Sequence, residues 1–407
     1  MAWRWIFILL IGLSPPAYAA GEGAEIEWQP WSDKIFEQAK REDRFVLLDL
    51  EAVWCHWCHV MDDKTYRDAE VVKLINSRYI PVKVDQDANP DLSNRYEDYG
   101  WPATVVFAPN GSELVKRRGY LPPEVMASML DSIIKDPSPG PSVRLAVAVQ
   151  AAASAHLTEK QREKLLNNYF QAYDQENAGW GIVHKFIQAQ NMEYALAKAK
   201  EGDRKQEAMA RATLDAALNL MDPVWGGTYQ YSDEVNWKSP HFEKIMSIQA
   251  DNLRLYSQAY ALFNEPRYLQ AARDIERYLA NFLTSPEGAF YTSQNADLSR
   301  EIDGHKFYPL ADAERRKLGM PRIDTYIYSR ENGWAIRGLT ALYDVTGDAK
   351  VLARAKKAAN WIIRNRGLEG GGFSHGEKTA PVPSSEIRSP WVKLFSPCTR
   401  QPESATG

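Results

Sequence analysis

Between Phe45 and Leu50 the chain is apolar at every position but Asp49, and so short an apolar run predicts a strand. A helix-like stretch follows at Cys55. Val82-Lys-Val-Asp-Gln-Asp-Ala-Asn-Pro90 holds a second strand-like segment, and after a short helical stretch Tyr99-Gly-Trp-Pro-Ala-Thr-Val-Val-Phe107 holds a third. Asn110-Gly111 marks a turn into another strand, and residues 122–135 carry a helical pattern. Alternating strands and helices in one compact stretch predict an α/β unit.

Residues 136–142, Asp-Pro-Ser-Pro-Gly-Pro-Ser, break that pattern and predict a linker, placed at 137–142. Beyond it apolar residues recur at helical spacing: Met192, Ala195, Leu196 and Ala199, then Leu214, Ala217, Leu218 and Met221, then Leu253, Tyr256, Ala259 and Leu262. Residues 143–376 therefore predict an all-α region. It is punctuated by glycine-aromatic returns at Gly179-Trp-Gly181, Trp225-Gly-Gly-Thr-Tyr229, Gly288-Ala-Phe-Tyr291 and Gly370-Gly-Gly-Phe373. Helical hairpins with loops gathered on one face resemble the α/α toroid of six-hairpin glycosidases and sugar epimerases; a plain helical array with tight turns is the alternative. No further helical pair is visible after Phe373. The pattern thus predicts a toroid that ends early and a disordered tail over residues 377–407.

At 407 residues the chain is too long for one small α/β unit and calls for at least two domains. A net charge of -4 argues against a general nucleic-acid binder, while 13 tryptophans and 20 tyrosines suggest aromatic-lined surfaces. The first twenty residues place Arg4 before the apolar stretch from Trp5 to Leu13 and end in Ala17-Tyr-Ala19. This predicts a secretory signal peptide, hence a secreted or periplasmic protein with no stable membrane span once it is cleaved. Export puts the cysteines where disulfides persist, yet three cysteines are too few for a disulfide framework. Cys398 lies far away in a Ser-Pro-Cys-Thr tail.

Cys55 and Cys58 carry the candidate chemistry. A strand turning into a helix at Cys55 leaves that sulfur at a helix N-terminus, where unpaired N–H groups and the helix dipole favour a thiolate. Cys58, one turn on, can resolve a mixed disulfide. The same letters continue to His59, so Cys55-His-Trp-Cys-His59 also spells a c-type haem attachment sequence, and its sulfurs and imidazoles suit zinc or copper. Redox exchange needs no cofactor; a metal ion or haem at Cys55, Cys58 and His59 is the alternative.

The flanking residues separate these possibilities. Asp49 six residues before Cys55, Trp54 directly before it, and Gly100-Trp-Pro102 leading to Phe107 together resemble thioredoxin over residues 28–135. The resemblance implies that Pro102 follows a cis peptide bond and shapes substrate contact, rather than merely opening an edge strand, and that Asp49 is a buried acid taking protons from the resolving cysteine. The longer motif Trp54-Cys-His-Trp-Cys-His-Val-Met61 is closer to the spermatogenesis-associated protein 20-like family, which joins a thioredoxin domain to a helical toroid. His56 and Trp57 stand where ordinary thioredoxin has Gly-Pro. With Trp54 and His59 they are expected to tune the redox pair, a cationic His56 favouring the Cys55 thiolate.

Pro240-His-Phe-Glu-Lys244, Asn295-Ala-Asp297 with Gly304-His-Lys-Phe-Tyr308, and Asn332-Gly-Trp334 resemble further segments of that family in order. Chemically, His241, Glu243, Asp251 and Asp297 form a candidate carbohydrate site, an acid and base facing a sugar; each is equally accounted for as a capping or salt-bridged residue. The sequence thus predicts a thioredoxin-fold domain over residues 21–136 and an α/α toroid-like domain after it. Its expected work is exchange with a protein or small-thiol partner: Cys55 attacks, Cys58 resolves, Asp49 moves protons and Pro102 shapes contact. The rival is a carbohydrate-active protein with a regulatory thioredoxin unit; a non-catalytic binding module is the third reading.

Overall fold

The computed structural model of the protein describes residues 25–32, 34–143 and 155–377. The expected leader at residues 1–20, Cys398 and residues 378–407 of the expected tail lie outside them. The apolar run becomes β1 (Phe45–Glu51), preceded by α1 (Lys34–Glu42). It is followed by α2 (His56–Lys64), α3 (Ala69–Arg78), β2 (Tyr79–Asp85), α4 (Pro90–Tyr96), β3 (Ala103–Phe107), β4 (Glu113–Arg118) and α5 (Pro123–Lys135). The sheet order is β2-β1-β3-β4, with β2 parallel and β3 antiparallel to β1. This is the thioredoxin-like α/β unit.

Because β1 is an inner strand, its alternate side chains enter two different cores. Phe45 and Leu47 pack with residues of α2, α3 and α5, whereas Val46, Leu48 and Leu50 pack with α1 and α4. Asp49 shares the parity of Phe45 and Leu47, so its carboxylate is directed into an apolar layer beside Lys83, its register partner on β2.

Both outer strands are covered. Gln29 lies along β2, giving its N–H to the Pro81 carbonyl at 2.9 Å and accepting the Lys83 N–H at 3.1 Å. Part of the Pro- and Gly-rich stretch expected as a linker lies along β4. The Gly140 N–H reaches the Leu114 carbonyl at 2.8 Å, and Ser142 Oγ accepts the Lys116 N–H at 2.9 Å. Backbone groups on an outer strand require partners, and this stretch supplies them.

The remaining chain contains α6 (Glu159–Gln171), α7 (Ala189–Lys200), α8 (Arg204–Ala217), α9 (Met246–Phe263), α10 (Pro266–Phe282), α11 (Gly304–Phe307), α12 (Asp312–Leu318), α13 (Ser329–Thr346) and α14 (Ala349–Arg366). Short strands β5 (Tyr231–Ser232), β6 (Pro240–His241), β7 (Lys244–Ile245), β8 (Ser293–Gln294) and β9 (Ile323–Asp324) join them. The hairpins α7–α8, α9–α10 and α13–α14 pack side by side through α7, α9 and α13, as in an α/α toroid. Met192, Leu196, Leu214, Leu253 and Tyr256 share their core.

Each glycine-aromatic return follows the outer helix of a pair, or α6, and closes on one antiparallel bridge: Tyr173 with Trp180, Met221 with Thr228, Thr284 with Phe290, and Gly367 with Phe373. Their uneven spacing in sequence follows from what is inserted between them: β5, β6 and β7 between the second and third returns, and β8, α11, α12 and β9 between the last two. Gly226, at φ 76°, illustrates why glycine is needed there, since a Cβ would collide with the Asp274 carbonyl oxygen. Inside this region Asp222 accepts the fully buried Lys244 ammonium at 2.6 Å and the Arg315 guanidinium at 2.8 and 3.1 Å.

Candidate redox site

Strand β1 delivers the chain to Cys55, which caps α2: its Sγ accepts the Cys58 N–H at 3.1 Å. Cys55 and Cys58 are joined as a disulfide with Cα atoms 5.3 Å apart. They are only 3% and 2% exposed, and Ala52, Trp54, Trp101 and Ile245 pack around them. Trp54 is fixed by its indole N–H, which donates to Asp87 Oδ2 at 2.7 Å. The Trp101–Pro102 peptide bond is cis. Ile245, on β7, belongs to the helical region, so the disulfide lies where the two regions meet.

Cys55 still faces a space. It lines a half-open cleft of ≈ 610 Å³ whose walls include Trp57, Trp101 and Tyr120 from one region and Phe186, Tyr231 and Ile248 from the other. Trp57, 40% exposed and stacked on Tyr120, forms its rim. A cleft of this size suits a small molecule or an extended segment of chain.

Each region contributes a buried carboxylate with a raised pKa. Asp49 is buried, and desolvation pushes it up to about 7 against the pull of Lys83, whose ammonium is 3.5 Å from its Oδ2. Its Oδ1 accepts no hydrogen bond. Among the described residues one trio of ligating side chains converges, Asp49 with Glu51 and Asp62, and the Lys83 ammonium pairs with all three.

The second carboxylate comes from the other region. Glu243 Oε1 accepts the His56 N–H at 3.2 Å, the first amide of α2, across 187 residues of sequence. Its Oε2 is buried without a hydrogen bond, and burial pushes the group up to about 7. His56 Nδ1 meets Asp297 Oδ2 at 2.5 Å, and Asp297 Oδ1 also accepts the Gly304 N–H at 2.9 Å. The hydrogen bond to Asp297 raises the His56 pKa, while Asp297 is held low chiefly by its bond to His56, against its burial. His56 is therefore favoured as a cation, and Asp297 offsets its charge and weakens its pull on a Cys55 thiolate.

Three other residues fall differently. His59 Nε2 lies 3.0 Å from the Val53 carbonyl oxygen, and burial lowers its pKa. His241 stacks on Tyr231, with Nδ1 3.9 Å from Glu243 Oε2. Asp251 is paired with Arg254 at 2.9 Å. Of the residues grouped as a carbohydrate site, Glu243 and Asp297 thus meet at the start of α2 with His241 beside them, and Asp251 has a different partner. Ile245 and Tyr231 were not legible as site residues. The signal was the motif ending at Lys244, one residue before Ile245.

The Asp297–His56 pair has a definite pH window. His56, raised above its ordinary 6.5, contributes docking stability that is complete below that value and lost as pH rises through the folded pKa. Asp297, lowered from 3.8, contributes above that value and loses its contribution as pH falls through its folded pKa. Asp297→Asn is expected to lower the His56 ring pKa, read by NMR titration of its imidazole protons; an unchanged titration would contradict the pairing.

Residues 16–135 match the Thioredox_DsbH family model, described as a protein of unknown function, DUF255. Human spermatogenesis-associated protein 20 is 29% identical over 308 residues, covering 67% of this chain and 39% of that protein. The chain thus spans about two fifths of the length of the curated relatives of that name. The thiol:disulfide interchange protein DsbD of Campylobacter jejuni strain RM1221 is 30% identical over 92 residues, 21% of this chain and 16% of its own. Among solved structures, a sugar epimerase from a ruminal bacterium aligns with a TM-score of 0.42 at 16% identity, over 54% of this chain and 58% of its own. The chain resembles the spermatogenesis-associated protein 20-like proteins, and its N-terminal region is a thioredoxin-like redox domain. No helix of the described residues is long and apolar enough to cross a membrane.

Proposed function

We propose that the protein is an exported thiol–disulfide oxidoreductase whose partner presents its sulfur through the cleft at Cys55. The observation that carries this reading is the Cys55–Cys58 disulfide at the first turn of α2, with Cys55 lining that cleft. In the reduced enzyme Cys55 attacks a partner disulfide, and Cys58 then attacks Cys55 to release the second partner thiol. Asp49, poised near neutrality, accepts the Cys58 proton. Pro102 and Trp101 shape the wall a visiting sulfur meets, Trp54 and Trp57 frame Cys55, and exchange of this kind requires no cofactor.

The enclosure of Cys55 favours a small thiol or an extended cysteine-bearing segment over the surface of a folded protein. The leader pattern of residues 1–20 supports export to the periplasm or beyond. A carbohydrate role for the helical region has less support, because two of its three candidate carboxylates are engaged with His56. In the Cys58→Ser protein a mixed disulfide on Cys55 should accumulate after exposure to a cell extract. Mass spectrometry of that adduct identifies the partner, and a Cys55 that stays free overturns the proposal.

A further inference from the structure

Resting on the exchange reading, we infer that Glu243, contributed by the helical region, is the proton-transfer residue for Cys55, as Asp49 is for Cys58. Three observations carry this. Glu243 Oε1 accepts the His56 N–H at 3.2 Å, so the carboxylate sits at the N-terminus of α2, directly beside the residue that bears the sulfur. Its other oxygen is buried and accepts no hydrogen bond, and Glu243 lines the same cleft as Cys55. Ile245, two residues on, packs against the disulfide and seats this segment there.

Protons and electrons balance with two carboxylates. In the reduced state the Cys55 thiol passes its proton to the Glu243 carboxylate, and the thiolate attacks one sulfur of the partner disulfide. The partner S–S bond breaks, a bond from Cys55 to the partner forms, and the leaving thiolate takes the proton from Glu243. Cys58 then gives its proton to Asp49 and attacks Cys55, forming the Cys55–Cys58 bond, and the second partner thiolate leaves with the proton from Asp49. The partner gains two electrons, the cysteine pair loses two, and a dithiol reductant restores the pair.

The charges around Glu243 are mixed. His56 and Asp297 face it from α2 and from the loop after β8, offsetting one another. His241, itself 3.7 Å from Asp233, approaches from β6. Arg118 lies across the cleft. With no cation dedicated to Glu243, a negative charge on it and one on Cys55 oppose each other, and the proton is shared between them.

Glu243→Gln keeps the acceptor for the His56 N–H and removes the titration. With reduced protein, alkylation of Cys55 followed against pH should show a lower thiol pKa in the variant. Turnover of a small disulfide with dithiothreitol near neutral pH should fall by roughly 10²-fold, with one limb of its pH profile lost. Infrared difference spectra between oxidised and reduced protein add a readout independent of turnover: one carboxyl band should vanish in Glu243→Gln and another in Asp49→Asn. A wild-type thiol titration and an unchanged carboxyl band in folded Glu243→Gln protein overturn the inference. The exchange reading itself stands or falls separately, on Cys55→Ser.

Discussion

Serine at position 55 brings the dithiothreitol-coupled reduction of a small disulfide down to the uncatalysed rate, while leaving the fold intact. Cys55 is the sulfur that caps α2 and lines the cleft, whereas Cys58 is packed behind it. A serine oxygen in that place still accepts the Cys58 N–H, so the helix start is retained. It cannot ionise near neutrality or form a bond to sulfur that Cys58 can exchange. The measurement is the initial rate at matched protein concentration, with circular dichroism to confirm folding. Undiminished turnover in Cys55→Ser would end the exchange reading and direct attention to the helical region.

The largest stability effect is expected at a site remote from the sulfurs. Asp222→Ala should destabilise the helical region by about 3–5 kcal/mol, the usual consequence of removing one partner from a buried charge network. Lys244 and Arg315 both have fully buried side chains and both converge on this carboxylate. Burial already lowers Lys244 to about 8, so without Asp222 it can shed its proton. Arg315 has no such escape. Urea denaturation of the two proteins checks the figure; Asp222→Asn, which keeps an acceptor, should lose less. The effect should also reach the redox centre, since Lys244 sits between Glu243 and Ile245, the residues that close over α2.

The contrast between the two regions explains what was legible in the sequence. Asp49 lies on β1, Cys55 and Cys58 open α2, and Pro102 directly precedes β3 of the same α/β unit, so the resemblance to thioredoxin, carried by short stretches of sequence, pointed to all four. The helical hairpins showed in the recurrence of Leu214 with Ala217 and of Leu253 with Tyr256, because helical periodicity is a local property. The contacts of Glu243 and Asp297 with His56 span 187 and 241 residues. Spacing along the chain holds no information about such a meeting. Taken singly, those carboxylates suggested sugar chemistry, since an acid beside a histidine has the same composition whether it faces a saccharide or a sulfur. At residues 137–142 proline and glycine announced irregular backbone but not that part of it lies against β4.

The segments flanking the four-stranded sheet have a consequence for how a partner arrives. Gln29 occupies amide and carbonyl groups of β2, while Gly140 and Ser142 occupy those of β4. A visiting peptide therefore meets no vacant strand at these positions to extend by lateral pairing, a route other proteins use to capture extended chains. Recognition is left to side chains and to backbone near Trp101, so selectivity should depend on what flanks the partner's sulfur rather than on its readiness to become a fifth strand.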